Sequence, residues 1–253
     1  MRRTALISVA ASATLLLGVL AAPVATASDA DDLTARELAE QAKDNLLDAK
    51  SVHMELTDRS RGAVDSKTQP TSMKLSMDRD GNCAGTMRMG RGGGSVEIVT
   101  RGEQVWMKPD TAFWKAQVPG SQGDAVAQLF KNRYIHGSTR DAILKGMAET
   151  CSLTSFQRDV GTQAPDDRSL QKGEETTLDD TKVIPLRGKE DGKQATMYVT
   201  SDAPHRIVRA TEKGDGTDLA LSFKDYDRPV PSETPSADES VDVGRLQEEL
   251  QSL

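Results

Sequence analysis

The sequence predicts an α+β protein: a single curved antiparallel β-sheet of about ten strands, with helices on its concave face. Three observations carry this. Residues 34–50 form an amphipathic helical segment, two long blocks alternate apolar and polar residues between glycine turns, and a helical stretch separates the blocks. Two smaller α+β domains are the alternative, but no linker divides the chain before residue 228.

The helix comes first. Thr34 and Glu37 stand in capping-box relation, and Asp31 and Asp32 favour the positive helix end. Ala35, Leu38, Ala39, Ala42, Leu46 and Ala49 recur at three- and four-residue steps, so one stripe faces inward. Period two follows. Val52, Met54 and Leu56 alternate with His53, Glu55 and Thr57, then Met73, Leu75 and Met77 with Lys74, Ser76 and Asp78. Past Asp80-Gly81-Asn82 come Met87 and Met89; past Gly92-Gly93-Gly94 come Val96 and Ile98; past Arg101-Gly102 come Val105 and Met107. Alternation bounded by glycine turns describes an antiparallel meander with one buried face. A short Phe113-Trp114 element lies beyond it.

The middle reads as two or three short helices over 124–132, 139–150 and 153–160, from Val126, Leu129, Phe130, Ala142, Ile143, Met147, Leu153 and Phe156. Strands resume at 177–178, 182–186, 195–200, 206–212 and 217–224, punctuated by Asp191-Gly192, Ala203-Pro204 and Gly214-Asp215-Gly216. Residues 228–253 form a proline-containing polar, acidic tail whose last piece, with Val243, Leu246 and Leu250, reads as a short amphipathic helix.

Residues 1–27 read as a secretory leader, apart from the fold. Arg2 and Arg3 precede an apolar run from Ala5 to Val24, Pro23 breaks it, and Ala25-Thr26-Ala27 offers the small residues that cleavage requires. Loss of the two cations Arg2 and Arg3 takes the formal charge from −7 to −9. Such an acidic, mixed-sign surface argues against a nucleic-acid partner, whose phosphates need a concentrated basic patch. The expected protein is a secreted or cell-envelope monomer.

Export bears on Cys83 and Cys151, which are the two cysteines. Outside the cytoplasm two thiols ordinarily pair, and two allow one intramolecular connectivity. The alternative is two buried free thiols. A metal site is not expected, because two cysteines without histidines at ligand spacing cannot close a zinc shell.

The motifs of catalysis are missing. The sequence has no Gly-x-Ser-x-Gly elbow, no His-Glu-x-x-His helix and no Gly-Lys-Ser/Thr loop. Gly90-Arg91-Gly92-Gly93-Gly94 sits between two strands, as a hairpin turn does, and not before a helix, as a phosphate cradle does. His53, His136 and His205 are dispersed, with solvated positions expected for His53 and His205. Asp166-Asp167 and Asp179-Asp180 fall in polar loops. The reading is a non-enzyme without a cofactor.

The methionines are the remaining signal. Seven of nine, Met54, Met73, Met77, Met87, Met89, Met107 and Met197, lie in expected strands, where packing alone would favour valine or isoleucine. A flexible thioether suits an apolar surface that adapts to irregular partners, although an ordinary soft core gives the same pattern.

At this point the residues show a resemblance. Ser51-Val52-His53, Asp80-Gly81-Asn82-Cys83-Ala84-Gly85-Thr86, Gly102-Glu103-Gln104-Val105-Trp106-Met107-Lys108-Pro109-Asp110 and Phe113-Trp114 resemble the actinobacterial LppX/LprG-like envelope lipoproteins, over about residues 33–227. The resemblance implies a LolA/LolB-like half-barrel over residues 28–227, with helices over its mouth and a cavity for acyl chains of glycolipids or triacylglycerols. It brings no catalytic residues. One departure stands out: the Leu20-Ala21-Ala22 box is followed by Pro23, and no cysteine precedes Cys83, so no lipid anchor is expected.

Two functions follow. The first is an extracytoplasmic binder of a lipid or amphiphile, with peripheral membrane contact, whose cavity is lined by Met54, Leu56, Met73, Leu75, Met77, Met87, Met89, Val96, Ile98 and Met107. Their neighbours His53, Lys74, Arg88 and Glu97 then face solvent. The second is an envelope interaction protein with a filled core. Intact-mass analysis of secreted protein checks the leader. The expected mass begins at Ser28, and a mass retaining residues 1–27 or carrying a diacylglyceryl group contradicts it.

Overall fold

The computed structural model describes residues 30–118, 120–162, 170–190 and 192–244. The expected leader, the expected start at Ser28, Asp166-Asp167 and the expected helical piece with Leu246 and Leu250 lie outside them.

Helix α1, Ala35–Asp48, starts as its sequence dictates. The Thr34 hydroxyl accepts from the Glu37 N–H at 3.2 Å, and the Glu37 carboxylate accepts from the Thr34 N–H at 2.8 Å. Its buried stripe is Leu38, Ala39, Ala42 and Leu46. The first alternating block folds into β1 (Ser51–Asp58), β2 (Pro70–Asp78), β3 (Cys83–Met89), β4 (Ser95–Arg101) and β5 (Gln104–Pro109), with a short helix α2 (Arg61–Asp65) between β1 and β2. The helical middle is α3 (Thr111–Gln117), α4 (Ser121–Leu129), α5 (Ala142–Thr150) and α6 (Leu153–Thr162), interrupted by β6 (Tyr134–Ser138). The second block supplies β7 (Gln171–Lys172), β8 (Thr176–Leu178), β9 (Thr181–Glu190), β10 (Lys193–Thr200), β11 (Ile207–Gly214) and β12 (Thr217–Lys224), and β13 (Ser240–Asp242) follows.

Among the described residues all thirteen strands join one open, curved sheet in the order β13-β6-β5-β4-β3-β2-β1-β12-β11-β10-β9-β7, with β8 paired to β9. Every pairing is antiparallel except β13 with β6. Helices α1 and α3 to α6 pack against the sheet through two buried groups of side chains, so the architecture is an α+β half-barrel.

Several elements differ from the sequence reading. Strand β6 lies where the sequence reads as a connection between helices, and Phe113 and Trp114 belong to helix α3, whose N–H at Phe113 is capped by the Asp110 carboxylate at 2.8 Å. Residues 240–242, read as tail, extend the sheet. The intervening segment is tied down on the way: the Arg101 guanidinium donates to the carbonyls of Pro231 and Glu233 as well as Cys83. His205 is buried, not solvated, because the turn before β11 tucks under α1, where the Asn45 amide donates to the His205 carbonyl at 2.6 Å.

Cys83 and Cys151 are joined, with Cα atoms 5.7 Å apart, within the span a disulfide bridges. The bond ties the first residue of β3 to the C-cap of α5 across 68 positions. At the centre of β3, Gly85 permits a close approach. A Cβ there would fall 2.0 Å from the Lys74 carbonyl oxygen and 2.9 Å from the Leu75 Cα on β2, both backbone atoms that cannot swing aside.

Two predictions follow from these contacts. Opening the loop by a Cys83→Ala, Cys151→Ala double substitution lowers stability by about 4 kcal/mol in the chain-entropy account, measured by urea unfolding. A loss below about 1 kcal/mol contradicts that account of the bridge. Gly85→Val lowers stability by at least about 2 kcal/mol, because β2 and β3 must separate; an unchanged urea midpoint refutes the close approach.

Candidate functional site

Alternation along each strand sorts the inner face into rows that run across the sheet. The row nearest the disulfide end is Val52, Met77, Cys83, Thr100, Val105 and Gly137, paired strand to strand from β1 to β6, and all six are buried. The next row is Phe223, Met54, Leu75, Gly85, Ile98, Met107, Ile135 and Val241. It is buried from Phe223 to Ile135, except at half-buried Gly85.

The third row is different. It runs Leu186, Met197, Ala210, Leu221, Leu56, Met73, Met87, Val96 and Pro109, one residue from each of nine consecutive strands, β9 to β5. Both ends are buried, but the middle five, Met197, Ala210, Leu221, Leu56 and Met73, are only half-buried. One step further toward the strand ends, Ala195, Glu212, Leu219 and Asp58 pair in turn, so the apolar row meets a polar rim. There Lys193 holds Glu212 at 2.6 Å.

Of the ten residues the sequence assigns to a cavity, Met54, Leu75, Met77, Met87, Met89, Val96, Ile98 and Met107 are buried and Leu56 and Met73 half-buried. They divide between two packed groups. Met54, Leu75, Met77 and Ile98 pack with α1, Leu153 and the disulfide; Met87, Met89, Val96 and Met107 pack with Phe113, Trp114, Phe130 and Leu144. Met73 packs against both groups, as does Met147 of α5. The half-buried row also takes in Leu221, Ala210 and Met197, which the sequence reading does not join to it. Period-two alternation marks β10 and β12 as strands, but β12 pairs with β1 across more than 150 residues and β10 joins the row only through β11.

The outer face carries the polar partners. Lys74, Arg88 and Glu97 are exposed, while half-buried His53 lies between Ser76 Oγ at 2.8 Å and Glu55 Oε1 at 3.2 Å. Glu55 also accepts from Lys224 at 2.6 Å, and that hydrogen bond, with the positive charges of Lys224 and Lys74, holds its carboxyl below the usual range. A cavity of about 370 Å³ beside it is lined by Glu55, Arg209, Ser222, Lys224 and Tyr226 among others. Its cations are committed: Arg209 binds Asp179 at 2.8 Å and Arg206 binds Asp227 at 2.9 Å. Burial pushes the Tyr226 phenol well above its ordinary range, and its hydroxyl donates to the Ile207 carbonyl.

The three histidines stay far apart in the fold, on β1, on β6 and in the turn before β11. Among the described residues no group of three or more His, Cys, Asp or Glu side chains is arranged to hold a metal ion. No helix of the described residues is long and apolar enough to cross a membrane.

No protein-family model matches the chain, and no curated protein matches it in sequence. Solved structures do. LprF from Mycobacterium bovis aligns over 80% of this chain and 97% of its own, with TM-score 0.52 and 13% identity. The Mycobacterium tuberculosis lipoprotein LppX aligns over 78% and 96%, with TM-score 0.46 and 15% identity. A LolA-superfamily protein from Nitrosomonas europaea aligns over 79% and 96%, with TM-score 0.25 and 11% identity. At this identity the likeness to LprF is one of fold, and the chain has an LprF-like fold.

Proposed function

We propose that this protein is an extracytoplasmic, non-catalytic carrier that holds an acyl chain of a lipid or other amphiphile. One observation carries the reading: five successive strands present Met197, Ala210, Leu221, Leu56 and Met73 to the inner face, and packing leaves this row half-buried beside fully buried ones. Half-buried apolar side chains at the edge of a sealed core gain by covering one another with a ligand's methylenes, at about 0.8 kcal/mol per methylene buried. A few methylenes therefore give measurable affinity, and methionine side chains at both ends of the row adapt to the chain's kinks. The polar rim at Glu212, Lys193 and Asp58 gives an amphiphile's head a place to stop. Lining by Met54, Leu75, Met77, Met87, Met89, Val96, Ile98 and Met107 belongs to this proposal as the wall behind the row. The LprF-like fold supports it, and the expected leader without a lipid-bearing cysteine supports release without an anchor, with residues 28–227 as the working domain.

The second reading is an envelope interaction protein whose sheet is simply filled. It is favoured by the burial of eight of the ten residues assigned to the cavity within two packed groups.

Uptake of a fluorescent fatty acid separates the two. Met73→Asp and Leu221→Asp alter half-buried positions and leave cooperative thermal unfolding in place. An unpaired charge on the row weakens uptake by at least about tenfold, whereas Lys74→Asp on the outer face leaves it unchanged. No uptake by the unaltered protein, or equal uptake by all three variants, leaves the filled-core reading.

A further inference from the structure

The half-buried row opens toward the strand ends that lead into α2, and the surface there has its own chemistry. Leu56 and Met73 pair with each other two positions from the end of β1 and three from the start of β2. The 59–69 connection between these strands packs against the 90–94 turn as one unit. Gly90 and Gly93 lie so close under it that a Cβ would come 2.1 Å from the Ala63 carbonyl oxygen and 2.1 Å from that of Lys67. The Gly90 N–H donates to the Gln69 carbonyl at 3.0 Å. The result is a fixed knob, not two loose loops.

The knob carries Arg59, Arg61, Lys67 and Arg91 against one carboxylate, Asp65, in a chain of net charge −7. Arg91 faces Asp65 at 3.4 Å. Arg59, Arg61 and Lys67 are exposed and make no ion pair among the described residues. Neighbouring connections at this end neutralise their charges locally, as Lys193 with Glu212, Lys213 with Asp218 and Lys115 with Asp124. Among these cations stands Val64, 45% exposed and one of two large hydrophobic side chains left exposed among the described residues. An exposed apolar side chain on a segment rich in exposed cations complements an anionic bilayer, whose surface potential attracts the cations while the interface takes the valine.

We propose that this knob is the membrane-docking surface: Arg59, Arg61 and Lys67 engage anionic lipid headgroups, Val64 enters the interface, and the mouth of the apolar row is thereby held at the bilayer. The proposal deepens the carrier reading and rests on it for the purpose of docking, while the docking itself is measured separately.

The test is co-sedimentation of the full secreted protein with vesicles of phosphatidylcholine alone or mixed with phosphatidylglycerol. The expected result is partitioning onto the anionic vesicles alone, falling as salt rises. An Arg59→Gln, Arg61→Gln double variant loses about thirtyfold in partition coefficient, near fivefold per charge. Val64→Ser weakens partitioning at high salt as well as low. The charge-matched control Arg140→Gln, Lys145→Gln changes it little. No partitioning by the unaltered protein, or equal losses in the double variant and the control, overturns the proposal. Uptake of a dissolved fluorescent fatty acid is read in parallel. Uptake without vesicle binding overturns docking and keeps the carrier, and vesicle binding without uptake overturns the carrier and leaves the knob as a membrane contact alone.

Discussion

The register of β1, β2 and β3 is the constraint on which the inner face depends. A slip of one residue between β2 and its neighbours would turn Met73, Leu75 and Met77 outward and bring Lys74 and Ser76 into the core. The structure fixes that register twice. Gly85 lets β3 ride close over Lys74 and Leu75, a fit available at one position only, and the disulfide holds the first residue of β3 against α5. With β3 fixed, each further strand inherits its facing from the one before. The third row of paired side chains then runs unbroken from β9 to β5.

Packing distributes unevenly over these rows. Helices α1 and α6, with the disulfide, seal the end where β1 begins, and α3, α4 and α5 seal the side of β4 to β6. What remains is a band in the middle of the sheet, where β10, β11, β12, β1 and β2 show apolar side chains at half exposure. Met73, Met197 and Leu221 of this band pack against the first group, and Met73 with Met147 forms the seam to the second. Unbranched, polarizable side chains at that seam let either group shift without opening a void.

Much of this is legible in the sequence, for identifiable reasons. Capping at Thr34 and Glu37 and the three- and four-residue stripe of α1 are local, and so is period two in β1 to β5. The Cys83–Cys151 pairing needs only a compartment and a count. Strand β6 is hidden because Tyr-Ile-His-Gly-Ser is short, contains a glycine and lies between helical segments. Helix α3 has a local signal of its own, since Asp110 before Thr-Ala-Phe-Trp is an N-cap. The half-buried row was half legible: Leu56 and Met73 stand out by alternation, but Leu221, Ala210 and Met197 reach them only through pairing between distant parts of the chain. Burial of His205 likewise follows from α1 packing over a distant turn, which no local pattern announces.

A sheet that stays open, unlike a closed barrel, keeps two free borders. Here both are small. Among the described residues, β13 contributes three residues on one side, in parallel pairing with β6; on the other, β7 contributes two and β8 three against β9. A long straight border would offer its unpaired N–H and C=O groups to any similar chain, whereas fragments of two or three residues give such a chain too few bonds to hold. Shielding from strand-by-strand association thus comes from one economy, short outermost strands.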